Sequence, residues 1–138
     1  MAIIGGAGNP VGGSFTGPAE ALEVLGDHAY AYSGQIGLTN AGYSTFLDFT
    51  SGNFATKAEL QININTYTTD DCEFVVKMNG AIIQGWHIQG SEFTMRDTPV
   101  ILFIPAYTQV EVTGKNISSG SSRNATASIV GRIYRTRD

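Results

Sequence analysis

Hydrophobic and polar positions alternate along most of this chain with a period of two. Residues 56–66 show it best: Ala58, Leu60, Ile62 and Ile64 fall on one side, Glu59, Gln61 and Asn63 on the other. That is the signature of a half-buried strand. Residues 72–78 repeat it with Phe74, Val76 and Met78, and residues 109–112 with Val110 and Val112. Residues 28–36 carry Tyr30, Tyr32 and Ile36 in phase. In residues 43–50, Tyr43, Thr45, Leu47 and Phe49 share a face. A closing strand over residues 125–135 sets Ala127, Ile129, Gly131 and Ile133 against Val130 and Tyr134. Residues 100–104 differ, because Val-Ile-Leu-Phe-Ile is apolar throughout. A run this short is expected to be a strand buried on both sides, or the centre of a sandwich. Pro105 then breaks the ladder, since proline has no amide donor and a fixed φ.

Turn signals separate these stretches every eight to twelve residues or so, the rhythm of a sandwich or barrel. Asn79-Gly80 predicts a tight hairpin between residues 72–78 and 81–88, because a type I′ turn needs positive φ at both central positions. Residues 39–42, 51–53, 69–71 and 116–124 read as the other loops, and residues 90–97 as a loop or short edge strand containing Phe93 and Met95. Residues 18–26 are the single helical candidate, with Pro18 at the first position and Gly26 at the close. Their alternation fits a first strand equally well. The expected architecture is all-β: one eight-stranded antiparallel sandwich, a jelly roll or related Greek key, over residues 28–138. Residues 1–27 precede it as a Gly-rich N-terminal arm with a short helical or strand segment. The arm lacks the GK[ST] ending of a phosphate loop.

Composition changes this picture little. The chain has 138 residues, enough for one domain with its own core. Only 14% of residues are charged and the net charge is −4. So few charges mean either a surface covered in part by partners or a neutral Ser/Thr/Asn/Gly surface. Residues 1–56 hold Glu20, Glu23, Asp27 and Asp48 and no Lys or Arg. Lys115, Arg123, Arg132, Arg135 and Arg137 lie near the other end. These are complementary subunit surfaces or ordinary solvated charges. An acidic chain with no basic, aromatic-interleaved patch argues against nucleic acid. No apolar run approaches the length of a membrane span, and the first residues do not read as a signal peptide. One cysteine, Cys72, allows no internal disulfide and reads as a structural thiol in a protein made in a reducing compartment.

Candidate chemistry is sparse. His28 and His87 are the two histidines, and neither has the convergent partners of a zinc or catalytic site. Asp70, Asp71 and Glu73 cluster at a turn, where Asp is at home without calcium. Asn116-Ile117-Ser118 and Asn124-Ala125-Thr126 match the glycosylation pattern and read as loop residues. No catalytic, cofactor-binding or metal-ligating residue is assigned, and the chain is expected not to be an enzyme.

The apolar run with its IPAY corner and alternating return (LFIPAYTQVEVT), the NISSGSSRNATASIVGRIYR ending and the Gly-rich lead together resemble viral structural domains. The similarity is to jelly-roll capsid decoration (cement) proteins of tailed phages and related viruses, and to the sandwich heads of phage fibre and knob proteins. It implies a non-enzymatic virion protein, made in the host cytoplasm, that binds and stabilises a capsid lattice without a cofactor. Its partners would be further copies of itself, a trimer first, and the major capsid protein. In that role Ile3, Ile4, Val11 and Phe15 of the arm would anchor the domain to the capsid or to a sister subunit. The alternatives are a small capsid subunit, or a carbohydrate- or receptor-binding head using Trp86 and Tyr107 as a stacking platform.

Overall fold

The computed structural model describes residues 18–64, 70–88, 99–118 and 123–135, and there the alternating stretches become strands. They are β1 (Glu23–Leu25), β2 (His28–Tyr32), β3 (Ile36–Leu38), β4 (Ser44–Thr50), β5 (Ala55–Ile64), β6 (Cys72–Met78), β7 (Ala81–Ile88), β8 (Val100–Ile104), β9 (Gln109–Asn116) and β10 (Arg123–Tyr134). Two sheets form. The larger runs β1-β2-β10-β5-β8, with β3 also on β10, and the smaller runs β4-β9-β6-β7. Every pairing between these strands is antiparallel. The sheets are arranged as a sandwich, with one core between them.

The core follows from the alternation. The larger sheet sends in small residues, Ala31, Ala58, Ala125 and Ala127, beside Leu60, Ile62 and Ile129. The smaller sheet answers with Phe46, Phe49 and Phe74. Large side chains over alanines keep the layers close without voids. Each fully buried Phe, Leu or Ile stabilises by about 1.5–3 kcal/mol.

The expected hairpin is present: Asn79 (φ 51°) and Gly80 (φ 83°) join β6 to β7. The Asn79 side chain also accepts from the Gln109 amide at 3.0 Å, tying the turn to β9. At Pro105 the chain leaves β8 of the larger sheet and enters β9 of the smaller. Ser51 holds this corner. Its hydroxyl donates to the Pro105 carbonyl at 2.7 Å and accepts from the Thr108 amide at 2.8 Å.

Three expectations need correction, and one open alternative is decided. Among the described residues ten strands stand where eight were expected, partly because β2 and β3 both lie along β10 and are interrupted at residues 33–35. Ser33 fills that gap, since its hydroxyl accepts from the Ala127 amide at 2.8 Å. Of the two readings of residues 18–26 the strand holds, since Glu23–Leu25 is β1 and no helix forms there. The Ala19 main chain instead bonds Phe46 and Asp48 of β4, which outweighs a two-turn helix that is marginal alone. Tyr30 and Tyr32 do not share the inner face; Ala29 and Ala31 do. In β4 a bulge between Thr45 and Leu47 breaks the expected phase and buries Phe46, Leu47 and Phe49. The Gly-rich arm up to residue 17, and residues 90–97 with Phe93 and Met95, lie outside the described residues.

Candidate functional site

Three surfaces hold the groups that sequence reasoning singled out. The first is a polar knot where β6 begins and β9 ends. Asp70 accepts from Asn116 Nδ2 and Arg123 Nε, both at 2.9 Å. The Asp71 amide donates to Ser118 Oγ at 2.7 Å, its carbonyl accepts from the Ile117 amide at 2.9 Å, and its carboxylate lies 3.3 Å from His87 Nε2. Every acid here has a protein partner, and the bonds join β6, β9 and β10. Its geometry is that of a structural clamp. Cys72 lies just beneath, fully buried. Burial first, and then Asp70 and Asp71, push its thiol up to about 11, so it is a poor nucleophile near neutrality. Among the described residues no three His, Cys, Asp or Glu groups are placed to hold a metal.

The second surface is the outer face of the smaller sheet. Tyr43 donates to Glu73, Lys115 Nζ sits 5.2 Å above the Tyr43 ring, and Gln109 donates to Asp48. The bond to Glu73 is the main reason the Tyr43 hydroxyl is held above its ordinary value. Lys77 pairs in register with Glu111 on the same face. This face is charged and internally matched.

The third surface is apolar. β7 ends one sheet and β8 the other. Contacts of β3 and β10 with β4, and of β3 with β9, set the direction in which the sheets overlap. That overlap brings β7 and β8 to the same side of the sandwich, away from β4. Among the described residues no strand pairs with the outer edge of either. β8 is buried on one face only, which corrects the expectation of a strand buried on both: Ile101 is 54% and Phe103 61% exposed. Residues 81–85 of β7 are exposed on both faces, with Ile82 at 66% and Ile83 at 48%. A bulge at Ile83, opposite Val76 and Lys77, turns this half of the strand outward. Neither strand carries Lys, Arg, Asp or Glu, the residues that commonly guard open edges.

The expected sugar platform is not assembled. Trp86 faces Phe74 across β6 and stacks on it with ring centroids 6.0 Å apart, against the core. Tyr107, 71% exposed, sits in the β8–β9 corner with φ 55° and donates its amide to Gly52. Trp86 lies level with Gly114 on β9 and Tyr107 before Gln109, so about five residues of strand, roughly 17 Å, separate them. Ile3, Ile4, Val11 and Phe15 lie outside the described residues. Of the basic group near the chain's end, Arg123 is bound to Asp70 and Arg135 lies over the Phe54 ring at 5.5 Å. Sequence reasoning missed the β7/β8 side because an exposed apolar run reads the same as a buried one.

No family model matches the chain, and no curated protein does. Among solved structures it is similar to PliG of Aeromonas hydrophila, a periplasmic lysozyme inhibitor of g-type lysozyme. The match has 15% identity and a TM-score of 0.49, over 88% of this chain and 100% of that one. The inhibited lysozyme is a property of that protein. The finding corrects the virion expectation: the similarity is to a bacterial periplasmic protein, not to a capsid decoration, fibre or capsid protein. The major capsid protein as partner and the capsid surface as location are corrected with it. The residues behind that expectation have a plainer cause, because the IPAY corner is what this chain needs to cross from one sheet to the other.

Proposed function

We propose that this chain is a non-enzymatic protein that works by protein–protein contact, binding further copies of itself through the β7/β8 side. One observation carries the reading: Ile82, Ile83, Ile101 and Phe103 stand exposed on the two strands that end the sheets on one side of the sandwich, and neither strand holds a charged residue. An open edge offers main-chain donors and acceptors for strand addition, and apolar side chains add affinity once covered. The polar groups elsewhere support a non-catalytic role, since the Asp70–Asp71 cluster is absorbed in holding strands together. The strand order supports a jelly-roll reading, with β2 and β3 as halves of one strand and β1 as an added edge. Four strands (β2/β3, β10, β5, β8) then face four (β4, β9, β6, β7).

The test is the mass in solution of the 14.7 kDa chain by light scattering, over a hundredfold range of concentration. The wild-type chain is expected to assemble. Ile83→Lys with Phe103→Lys, which places a charge on each edge, is expected to be a folded monomer. A wild-type chain that stays monomeric throughout, or a double variant that assembles as well as wild type, would overturn the proposal.

A further inference from the structure

Resting on the self-association just proposed, we infer that the occupant of the β7/β8 side is the N-terminal segment of a second copy, residues 2–17. Three observations converge on it. The first is where that segment starts. Ala19 is locked beside β4, its amide donating to the Phe46 carbonyl and its carbonyl accepting from the Asp48 amide. The described chain therefore begins on the β4 side of the sandwich, opposite β7 and β8. The second is length. Sixteen residues span at most about 55 Å when extended, while β4 and β7 lie three strand spacings apart, about 14 Å. Length therefore allows the segment to reach its own edge or that of an adjoining copy, and the chemistry of the route decides between them.

The third is chemical match. Residues 1–19 contain no charged side chain and bring Ile3, Ile4, Val11 and Phe15. They meet strands that contain no charged side chain of their own, with Lys57 and Glu59 of β5 and Lys77 of β6 beside them in register. To reach its own β7, the segment would cross the outer face of the smaller sheet. Asp48, Glu73, Lys77, Glu111 and Lys115 lie there, and an uncharged apolar segment finds no complement among them. A second copy set head to tail, its β4 side toward the first copy's β7 and β8, needs no such crossing. Such a contact joins two different surfaces, so repeating it closes a ring or extends a filament. Ordering the glycine-rich segment carries an entropic cost, which the covered isoleucines and phenylalanines offset.

The experiment uses the full chain with cysteines placed in separate molecules. Ile3→Cys chains are mixed with Ile83→Cys chains under mild oxidation and run on a non-reducing gel. Native Cys72 is buried and does not compete. A dimer band in the mixture, several-fold stronger than either chain gives alone, is the expected result. A double-cysteine chain, Ile3→Cys with Ile83→Cys, serves as control. If it forms only an internal disulfide at every concentration while the mixture gives no dimer, the segment folds back on its own edge and the inference is overturned. Deleting residues 2–17 should weaken assembly by about tenfold or more and leave the urea midpoint, read from Trp86, unchanged. If the deletion assembles as well as the full chain while Ile83→Lys with Phe103→Lys does not, the occupant is wrong and the edge contact stands. If the lysine variant also assembles unchanged, both fall.

Discussion

The tightest spot in the core gives the sharpest test of the packing. Phe74 is fully buried between Phe46 and Trp86, with ring centroids 5.9 and 6.0 Å away. Its ring occupies space left open by Gly114, the residue facing it on β9. A Cβ at Gly114 would sit 2.5 and 2.6 Å from two Phe74 ring carbons and 3.2 Å from Leu38 Cδ2. The ring is wedged between two others and cannot swing away cheaply. Gly114→Ala should therefore cost about 1–3 kcal/mol, the range for overpacking. Phe74→Leu removes ring atoms and should cost roughly 1–2 kcal/mol through lost burial. In the double variant the shortened side chain makes room for the new methyl, so the costs should fall short of adding by at least about 1 kcal/mol. Urea unfolding followed by tryptophan fluorescence measures this directly, because Trp86 is the one tryptophan and rests on Phe74. Against a total stability of about 5–15 kcal/mol, every variant stays folded enough to measure. Strict additivity, or a neutral Gly114→Ala, would refute the packing described for this contact.

Four further outcomes follow from the hydrogen bonds and the thiol. Ser33→Ala leaves the buried Ala127 amide without the hydroxyl that ties the gap between β2 and β3 to β10, and should cost about 1–3 kcal/mol in the same unfolding assay. Asp70→Ala removes the carboxylate that accepts from Arg123 Nε and Asn116 Nδ2; it should cost roughly 3 kcal/mol and speed amide exchange at the start of β10. The Cys72 thiol is pushed up to about 11, above its unfolded value of about 8.5. Its contribution to stability is complete below about pH 8.5 and is lost as pH rises toward 11. Stability should fall over that alkaline window and fall less in Cys72→Ala. A thiol reagent at pH 8 should label the chain only after it is unfolded.

Much of the fold was legible because burial on one face forces alternation. β5, β6 and the first half of β9 lie where period two placed them, and Asn79-Gly80 turned as its backbone demands. What was not legible depends on neighbours distant in sequence. Tyr30 and Tyr32 look like core residues, but Ala31 between them packs in the core with the phenylalanines of the facing sheet. The β4 bulge reverses its phase through one inserted residue, which no local pattern marks. Ala19 is drawn to β4 by main-chain bonds to residues about thirty positions away. The apolar side was the hardest to see. Val-Ile-Leu-Phe-Ile reads as buried because its composition is silent about strand order, and strand order alone makes β8 an edge. Resemblance erred for a related reason: a proline corner follows from crossing between two sheets and says little about what the sandwich serves.

Amide hydrogen exchange as a function of protein concentration tests the central claim most directly. Alternate amides of β7 and β8 point away from their own sheets, and in dilute protein they should exchange fast, while β10 and β5, paired on both sides, stay protected. Raising the concentration should slow exchange selectively along β7 and β8 as the edges are covered. Exchange there that is independent of concentration, or slowing confined to another surface, would contradict the account.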